Sequence, residues 1–334
     1  MSALRTIDTH THVLTDETAA LLRKEAPTAP VTITPIDAES ATLDVAGTAY
    51  RPFPRGGHDI AHRLRDMDAT GVDVQVLSAT PQTYLYDREA ALTAATAALQ
   101  NDQIAKLTTA HPDRFLGIAT LPMQAPQRAA DELTRAMTKL GLRGAMIGSN
   151  VMGKNLDDPG LEPLWAAAEE LGAFMFIHPV QVAGADRLTS YYLRNLVGNP
   201  LDTTIAAACL VFGGVMDRHP KLNVCLAHAG GFVPFQAGRW VHGWRVRPEP
   251  KKHVPREPET ITRRFLYDTI AHSDRSLEFL IQEAGAERVL LGSDYPYDMA
   301  MLDCVSHVRE LAISDADKTN ILGRRAEALL ARKG

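Results

Sequence analysis

The chain has 334 residues, of which 35 are basic and 40 are acidic, for a formal net charge of −5. This small negative charge gives no field suited to nucleic acid or anionic lipid, so we expect a small-molecule partner. With 45% hydrophobic and 22% charged residues, the composition excludes a disordered, collagenous or coiled-coil protein. The length fits two ordinary domains or one large α/β barrel.

No stretch of the sequence approaches the roughly 18 apolar residues of a membrane-spanning helix. The first residues also lack the apolar core of a signal peptide. We therefore predict a cytoplasmic protein with no membrane contact. The cysteines Cys209, Cys225 and Cys304 lie in apolar runs without CxxC spacing, which predicts buried free thiols.

Short apolar runs typical of β-strands recur along the chain, with helical patterns between them. Residues 174–177, for example, are all apolar, as a strand covered on both faces requires. Residues 125–140 and 161–171 are amphipathic, so strands and helices alternate. Eight such units favour a (β/α)8 TIM barrel over a doubly wound sheet. The predicted strands are residues 4–8, 73–79, 114–121, 142–148, 173–178, 223–228, 264–269 and 288–293.

Two stretches do not fit a minimal barrel. Residues 31–53 contain alternating patches broken by Gly47, which predicts a small β-hairpin inserted after the first strand, at about residues 31–55. Residues 248–259 are rich in Pro, Lys and Glu and predict a solvated loop before the seventh strand. Because no repeat or linker interrupts the chain, we expect residues 1–334 to form one barrel domain.

A His-Thr-His motif ends the first strand. Since side chains alternate along a strand, His10 and His12 point to the same side, where both can reach one ion. His178, His228 and Asp294 stand at the ends of the fifth, sixth and eighth strands. In a barrel all five converge on the C-terminal mouth, where active sites of this fold are built.

Three imidazoles and one carboxylate suit one divalent ion such as Zn²⁺ and leave a position for water. The remaining histidine can then act as an acid or a base. If these five polar residues had unrelated structural roles, their positions at the same mouth would require five coincidences. Of the other histidines, only His58 is kept as a pocket candidate.

Several longer segments narrow the interpretation. They are LPMQAP at 121–126, IHP at 177–179, AHAGG at 227–231, GR at 238–239 and LGSDYP at 291–296. On these segments the chain resembles, nearly end to end, the amidohydrolase superfamily and its α-amino-β-carboxymuconate-ε-semialdehyde decarboxylase family. The HxH motif is shared across the superfamily, whereas LPMQAP and AHAGG are more specific. Related aromatic-acid decarboxylases tend to carry Gly-Glu after the histidine of AHAGG, so this segment favours the semialdehyde branch.

The resemblance implies a single metal ion, usually zinc, held by His10, His12, His178 and Asp294. It implies that His228 lies beside the bound water as acid or base, so that His228 and Asp294 are the catalytic residues. The fourth predicted strand contains no lysine that could be carbamylated to bridge a second metal. One metal ion is therefore the expected count.

The resemblance also implies that arginines bind the carboxylates of the substrate. The matching positions are Arg51 and Arg239, with Arg239 offered to the pocket of the neighbouring subunit in a homodimer. Arg247 is a third candidate nearby. Guanidinium groups suit this role because they bind carboxylates through two parallel hydrogen bonds.

Some pocket positions depart from the family pattern. The family's His-Pro-Trp-Asp is His-Pro-Val-Gln at 178–181, its Trp-Asp before the second helix is His58-Asp59, and its Phe after Asp-Tyr-Pro is Tyr297. Replacing an aromatic wall changes stacking and hydrogen bonding, which can change the preferred acid. We therefore count His58 and Tyr297 among the substrate-binding candidates.

Together these features predict a metal-dependent, non-oxidative decarboxylase. Its substrate would be 2-amino-3-carboxymuconate 6-semialdehyde or a close analogue. The alternative within enzymes is a hydrolase or hydratase of a carboxylated lactone, amide or unsaturated diacid, whose product keeps all its carbon. A non-catalytic binding barrel is disfavoured, because it has no need of a water-activating base.

Overall fold

A computed structural model describes residues 5–258 and 260–331. The strands are β1 (Ile7–Val13), β2 (Val31–Pro35), β3 (Ser40–Val45), β4 (Thr48–Pro54), β5 (Val74–Ala79), β6 (Phe115–Gly117), β7 (Gly144–Gly148), β8 (Asn150–Val151), β9 (Lys154–Asn155), β10 (Phe174–His178), β11 (Asn223–Leu226), β12 (Leu266–Asp268) and β13 (Val289–Leu290). The helices are α1 (Asp16–Glu25), α2 (Ile60–Thr70), α3 (Ala90–Ala110), α4 (Pro126–Thr138), α5 (Glu162–Leu171), α6 (Asn199–Phe212), α7 (Val215–Arg218), α8 (Val233–Val246), α9 (Asp274–Ala284), α10 (Cys304–Glu310), α11 (Asp315–Thr319) and α12 (Arg325–Leu329).

Eight parallel strands close into the predicted barrel. Hydrogen bonding links β1, β5 and β6 in one run and β7, β10, β11, β12 and β13 in another. Two isolated bridges join the runs: Ala119 pairs with Ala145, and Thr11 pairs with Tyr295. The (β/α)8 fold expected from the alternating pattern is therefore confirmed.

The predicted strands overlap the observed ones but end differently. The first strand continues through the His-Thr-His motif to Val13, while Leu4, where it was predicted to begin, lies outside the described residues. The last strand is only Val289–Leu290, because the chain leaves the ladder to form the loop that carries Asp294. At the barrel mouth, the strand ends therefore follow the loops that carry the site residues, and the β-propensity of the sequence does not locate them.

The outer helices follow their amphipathic patterns. The helix α4 buries Ala129, Leu133 and Ala136, which share one face, and it begins with Pro126 in its first turn, where proline leaves no hydrogen bond unmade. The helix α5 ends at Gly172, whose left-handed backbone (φ 62°) closes the helix. Both lie where the sequence predicted helices.

The insertion after β1 is larger than the predicted hairpin. The strands β2, β3 and β4 form a three-stranded antiparallel sheet, in which Gly47 turns the chain from β3 into β4 with φ 87°. The hairpin prediction was wrong by one strand, because Thr48–Pro54 is mostly exposed and shows little apolar alternation. Buried residues of this sheet, including Leu43, pack with Leu22 of α1 in a cluster of their own.

The segment 248–258 is mostly irregular, with one short 3-10 turn at Glu249–Lys251, in agreement with the loop prediction; Glu259 lies outside the described residues. All three cysteines are unpaired; Cys225 and Cys304 are buried, while Cys209 is only partly buried. Across residues 5–258 and 260–331, no helix has the length and apolar character to span a membrane.

Candidate active site

Four side chains meet at the C-terminal mouth of the barrel. His10 and His12 come from β1, His178 ends β10, and Asp294 follows β13. One ligand atom from each residue lies within 4.8 Å of all the others, and all four residues are buried. The sequence thus anticipated the grouping of these four residues, and the closed barrel accounts for it.

The distances within this cluster suit a common ion. His12 Nε2 lies 3.2 Å from His10 Nε2 and 3.1 Å from Asp294 Oδ1, and His10 Nε2 lies 3.4 Å from the same oxygen. Ligands about 2.0–2.2 Å from a tetrahedral ion are separated by distances of about this size. Three imidazole nitrogens and one carboxylate oxygen are also a donor set that borderline divalent metals accept.

The local environment favours a neutral His12 and His178 beside an ionised Asp294. Burial lowers the pKa of His12 to about 4, and burial together with the neighbouring histidines holds the pKa of His178 well below its ordinary value. Burial opposes ionisation of Asp294, yet the charge of His10 and a hydrogen bond from His12 keep its pKa well below the usual range. His12 and His178 are thus neutral imidazoles beside a carboxylate, as metal binding requires, whereas Asp294 and Asp268 raise the pKa of His10 despite its burial.

Asp268, at the end of β12, orients the cluster and was not singled out from the sequence. Its carboxylate lies 2.7 Å from His10 Nδ1, which directs His10 Nε2 toward His12 and Asp294. It also accepts the backbone N–H groups of His228 at 2.9 Å and Ala229 at 2.7 Å. Carboxylates commonly hold metal-binding histidines in this way. The available signal was its place at a strand end, which it shares with the other site residues.

Beneath the cluster, a buried polar network fixes β1 against the loop after β13. Ser293 Oγ donates a 2.5 Å hydrogen bond to Asp8, and burial raises the pKa of that carboxyl to about 6. The buried guanidinium of Arg63 bonds Gln75 at 2.9 Å and the carbonyl of His12. These contacts fix the position of the β1 histidines relative to Asp294.

His228 lies beside the four-donor cluster on a strained turn. Its backbone has φ 56° and that of Ala229 has φ 53°, values that residues other than glycine seldom adopt. His228 Nε2 lies 3.6 Å from Asp294 Oδ2, whereas its Nδ1 is buried without a hydrogen-bond partner in the described structure. The ring is therefore placed to exchange a proton with a ligand bound next to the metal donors.

Two cavities adjoin His228 and Asp294, and both residues line each of them. The larger has a volume of about 650 Å³ and the other about 560 Å³, within the range of small-molecule sites. Side chains that line the larger cavity include Tyr50, Tyr84, Tyr86, Arg88, Val180, Tyr192, Arg194, Asn195 and Tyr297.

Tyr297 and His58, the substrate-binding candidates at positions where the family has aromatic residues, differ in their placement. Tyr297 lines the larger cavity; its ring centroid is 5.3 Å from that of His12, and its hydroxyl donates to Gln82 at 2.7 Å. His58 does not line this cavity. It stacks on Phe53 with ring centroids 5.7 Å apart and lies 3.2 Å from an Asp16 oxygen. The structure therefore contradicts a pocket position for His58, because the inserted sheet takes up its ring.

The three predicted arginines do not line the cavities of their own chain. Arg51 lies exposed on β4 and Arg239 lies exposed on α8. Arg247, just after α8, pairs with Glu249 at the surface, so the structure contradicts a place for it in its own pocket. The arginines on the wall of the larger cavity are Arg88 and Arg194, which the sequence analysis missed because loop geometry alone brings them there.

Comparison with known proteins agrees with this geometry. Residues 7–332 match the amidohydrolase family. The 2-amino-3-carboxymuconate-6-semialdehyde decarboxylase of Dictyostelium discoideum is 37% identical over 324 residues, which cover 96% of this chain and 90% of that protein. The structure of 5-carboxyvanillate decarboxylase LigW from Sphingomonas paucimobilis is 27% identical with a TM-score of 0.82, covering 98% of this chain and 99% of that one.

A more distant structure shares the fold. It is a dihydroxybenzoic acid decarboxylase from Polaromonas sp. JS666 with bound manganese and 2-nitroresorcinol, 24% identical with a TM-score of 0.80 over 98% of this chain and 97% of that one. The match of nearly the whole chain to one family, with a four-donor cluster at the barrel mouth, assigns the fold and the kind of site together. The chain belongs to the amidohydrolase family and is similar to its 2-amino-3-carboxymuconate-6-semialdehyde decarboxylases.

Proposed function

We propose that this protein is a metal-dependent, non-oxidative decarboxylase of 2-amino-3-carboxymuconate 6-semialdehyde or a close analogue. The observation that carries the proposal is His228, whose Nε2 lies 3.6 Å from Asp294 of the buried four-donor cluster and which lines a cavity large enough for a small acid. The name of the Dictyostelium relative, at 37% identity, supports the same reaction type.

The reaction needs few groups from the protein. Loss of CO₂ breaks one carbon–carbon bond and leaves its electron pair on the substrate, where a conjugated semialdehyde can delocalise it. A proton must then replace the lost carboxylate, and His228 is the acid/base group placed to transfer it. When bound, the metal ion would polarise a substrate oxygen or lower the pKa of a water molecule to about 7.

We propose one ion per chain, bound by His10, His12, His178 and Asp294, and we propose zinc as its identity. The three imidazoles and one carboxylate are a donor set that zinc accepts. The Polaromonas structure carries manganese, so the metal has to be measured on protein purified without added metal. Elemental analysis should give about one zinc per chain, while two ions per chain or a manganese-dominated content would contradict this part of the proposal.

We further propose a cytoplasmic homodimer in which Arg239 completes the pocket of the partner subunit. On α8, Arg239 stands one helical turn after Phe235, whose side chain is 78% exposed. Phe232 and Leu196 are also partly exposed and line the smaller cavity with Phe235. An exposed apolar patch of this kind supports the proposal of a protein contact at this surface. A partner helix covering it would bring its own Arg239 near the mouth of the site.

The decisive experiment is to incubate the metal-loaded enzyme with 2-amino-3-carboxymuconate 6-semialdehyde, and separately with its 2-hydroxy analogue, while CO₂ is measured. We expect one CO₂ per molecule consumed, without NAD, pyridoxal phosphate or oxygen. If neither semialdehyde is consumed, but a lactone or an unsaturated diacid gains water without CO₂ release, the hydrolase or hydratase alternative replaces this proposal.

A further inference from the structure

The wall of the larger cavity carries charges of both signs, with the carboxylates Asp87 and Asp298 beside two arginines. Besides His228 and Asp294, its wall includes the guanidinium-bearing residues Arg88 and Arg194. A carboxylated ligand that enters this cavity shares it with both His228 and these arginines. The charge of these two arginines therefore bears on which acids the cavity accepts.

The two arginines differ in their partners. Arg88 Nε lies 3.3 Å from a carboxylate oxygen of Asp87, so its charge is partly neutralised within the protein. Arg194 forms no ion pair with any carboxylate in the described part of the chain, and no hydrogen bond of its side chain is present there. Its guanidinium is thus the cation of this wall that remains available to a ligand.

The surroundings of Arg194 suit a bound carboxylate. Burial raises the pKa of the Tyr50 hydroxyl, and the charge of Arg194 acts in the opposite direction, so the two groups lie close enough to interact. Asp298 also lines this wall, where it accepts a hydrogen bond from the Tyr192 hydroxyl at 3.2 Å and, in the described structure, forms no ion pair with Arg194. Asn195, next to Arg194 on the same wall, offers an amide N–H donor.

We propose that Arg194 binds the carboxylate that the substrate retains, and that it thereby makes the enzyme selective for dicarboxylated substrates. This inference rests on the proposed decarboxylase function, because it assumes that a second carboxylate leaves as CO₂ beside His228. The guanidinium fork of Arg194 can form two parallel hydrogen bonds to a carboxylate. An acid with a single carboxylate gains nothing from this contact once that group lies at the metal donors.

The test measures binding and does not depend on turnover. Benzoate, phthalate and isophthalate are titrated into the metal-loaded enzyme by calorimetry; the last two carry a second carboxylate at adjacent and alternate ring positions. We expect at least one dicarboxylate to bind about tenfold more tightly than benzoate, as a charged hydrogen-bonded contact provides. Arg194→Gln should abolish this ratio while leaving benzoate affinity unchanged, and Arg194→Lys should keep part of it.

Arg309→Gln is the matched control, because Arg309 is an exposed arginine in the last turn of α10 and lines neither cavity. It should bind all three probes as the wild type does. The proposal is overturned if wild-type enzyme does not discriminate between the probes, or if Arg194→Gln weakens benzoate and dicarboxylates equally. If the wild-type enzyme discriminates between the probes but releases no CO₂ from either semialdehyde, the proposed function is contradicted while the role of Arg194 in binding stands.

Discussion

His228 and Asp294, which both line the two cavities, share an unusual backbone. Both adopt left-handed conformations, with φ 56° and 62°, at a typical cost of about 1–3 kcal/mol each. Hydrogen bonds hold them there: Asp268 accepts the N–H of His228, and the carbonyl of His10 accepts the N–H of Asp294 at 2.9 Å. The backbone therefore fixes where both side chains point before any ligand arrives.

Replacing His228 by alanine is expected to reduce turnover, whereas replacing Asp294 is expected to reduce metal binding. His228→Ala should lower kcat by about 10²- to 10⁴-fold, the usual contribution of a general acid/base, while the metal content stays at the wild-type level. Asp294→Ala removes a proposed ligand, so it should weaken metal binding. Metal analysis and kcat are measured on both variants. Loss of metal from His228→Ala would make His228 a ligand.

At the scale of single elements, the turn after β11 determines the position of His228. Gly231 has φ 61°, and a Cβ added there would lie 2.2 Å from the carbonyl oxygen of Pro200 at the start of α6. The AHAGG segment is thus explained by close packing of this turn against α6, since only glycine fits. This close packing of its loop against α6 positions His228 at the mouth.

Gly231→Ala should therefore affect stability and activity together. We expect the free energy of unfolding to fall by more than about 1–3 kcal/mol, the cost of the backbone conformation alone, and kcat to fall because the turn must shift. Gly153→Ala is the control: Gly153 has φ 81°, but a Cβ there would meet nothing within 4 Å. Denaturant unfolding and kcat are measured for both variants. Equal losses of stability in the two variants, with normal turnover in both, would refute the packing argument.

The elements also show what the sequence can and cannot predict. Continuous apolar runs identified the barrel strands, because strands buried on both faces need such runs. His10, His12, His178 and Asp294 could be grouped because strand ends of a barrel share one mouth. The strand Thr48–Pro54, mostly exposed, lacked that signal. Arg194 could not be placed either, since its position depends on the path of an irregular segment after β10.

At the scale of the whole molecule, the shared-site proposal predicts complementation between two inactive subunits. An Arg239→Ala chain and a His228→Ala chain, carrying different affinity tags, are co-expressed and the heterodimer is isolated. One of its two pockets then holds both intact groups, so about half of the wild-type activity should return. If the isolated heterodimer stays inactive, Arg239 does not complete the partner's pocket. Each variant homodimer serves as the control.

The closure of the barrel also determines when the four donor side chains come together during synthesis and folding. His12 and Asp294 are 282 positions apart in the chain, yet their ligand atoms lie next to each other because the first and last barrel strands meet. During synthesis, the nascent chain carries three of the four donors long before the fourth leaves the ribosome. The complete donor set forms only after the barrel has closed, so tight metal capture coincides with the end of folding and stabilises only finished molecules.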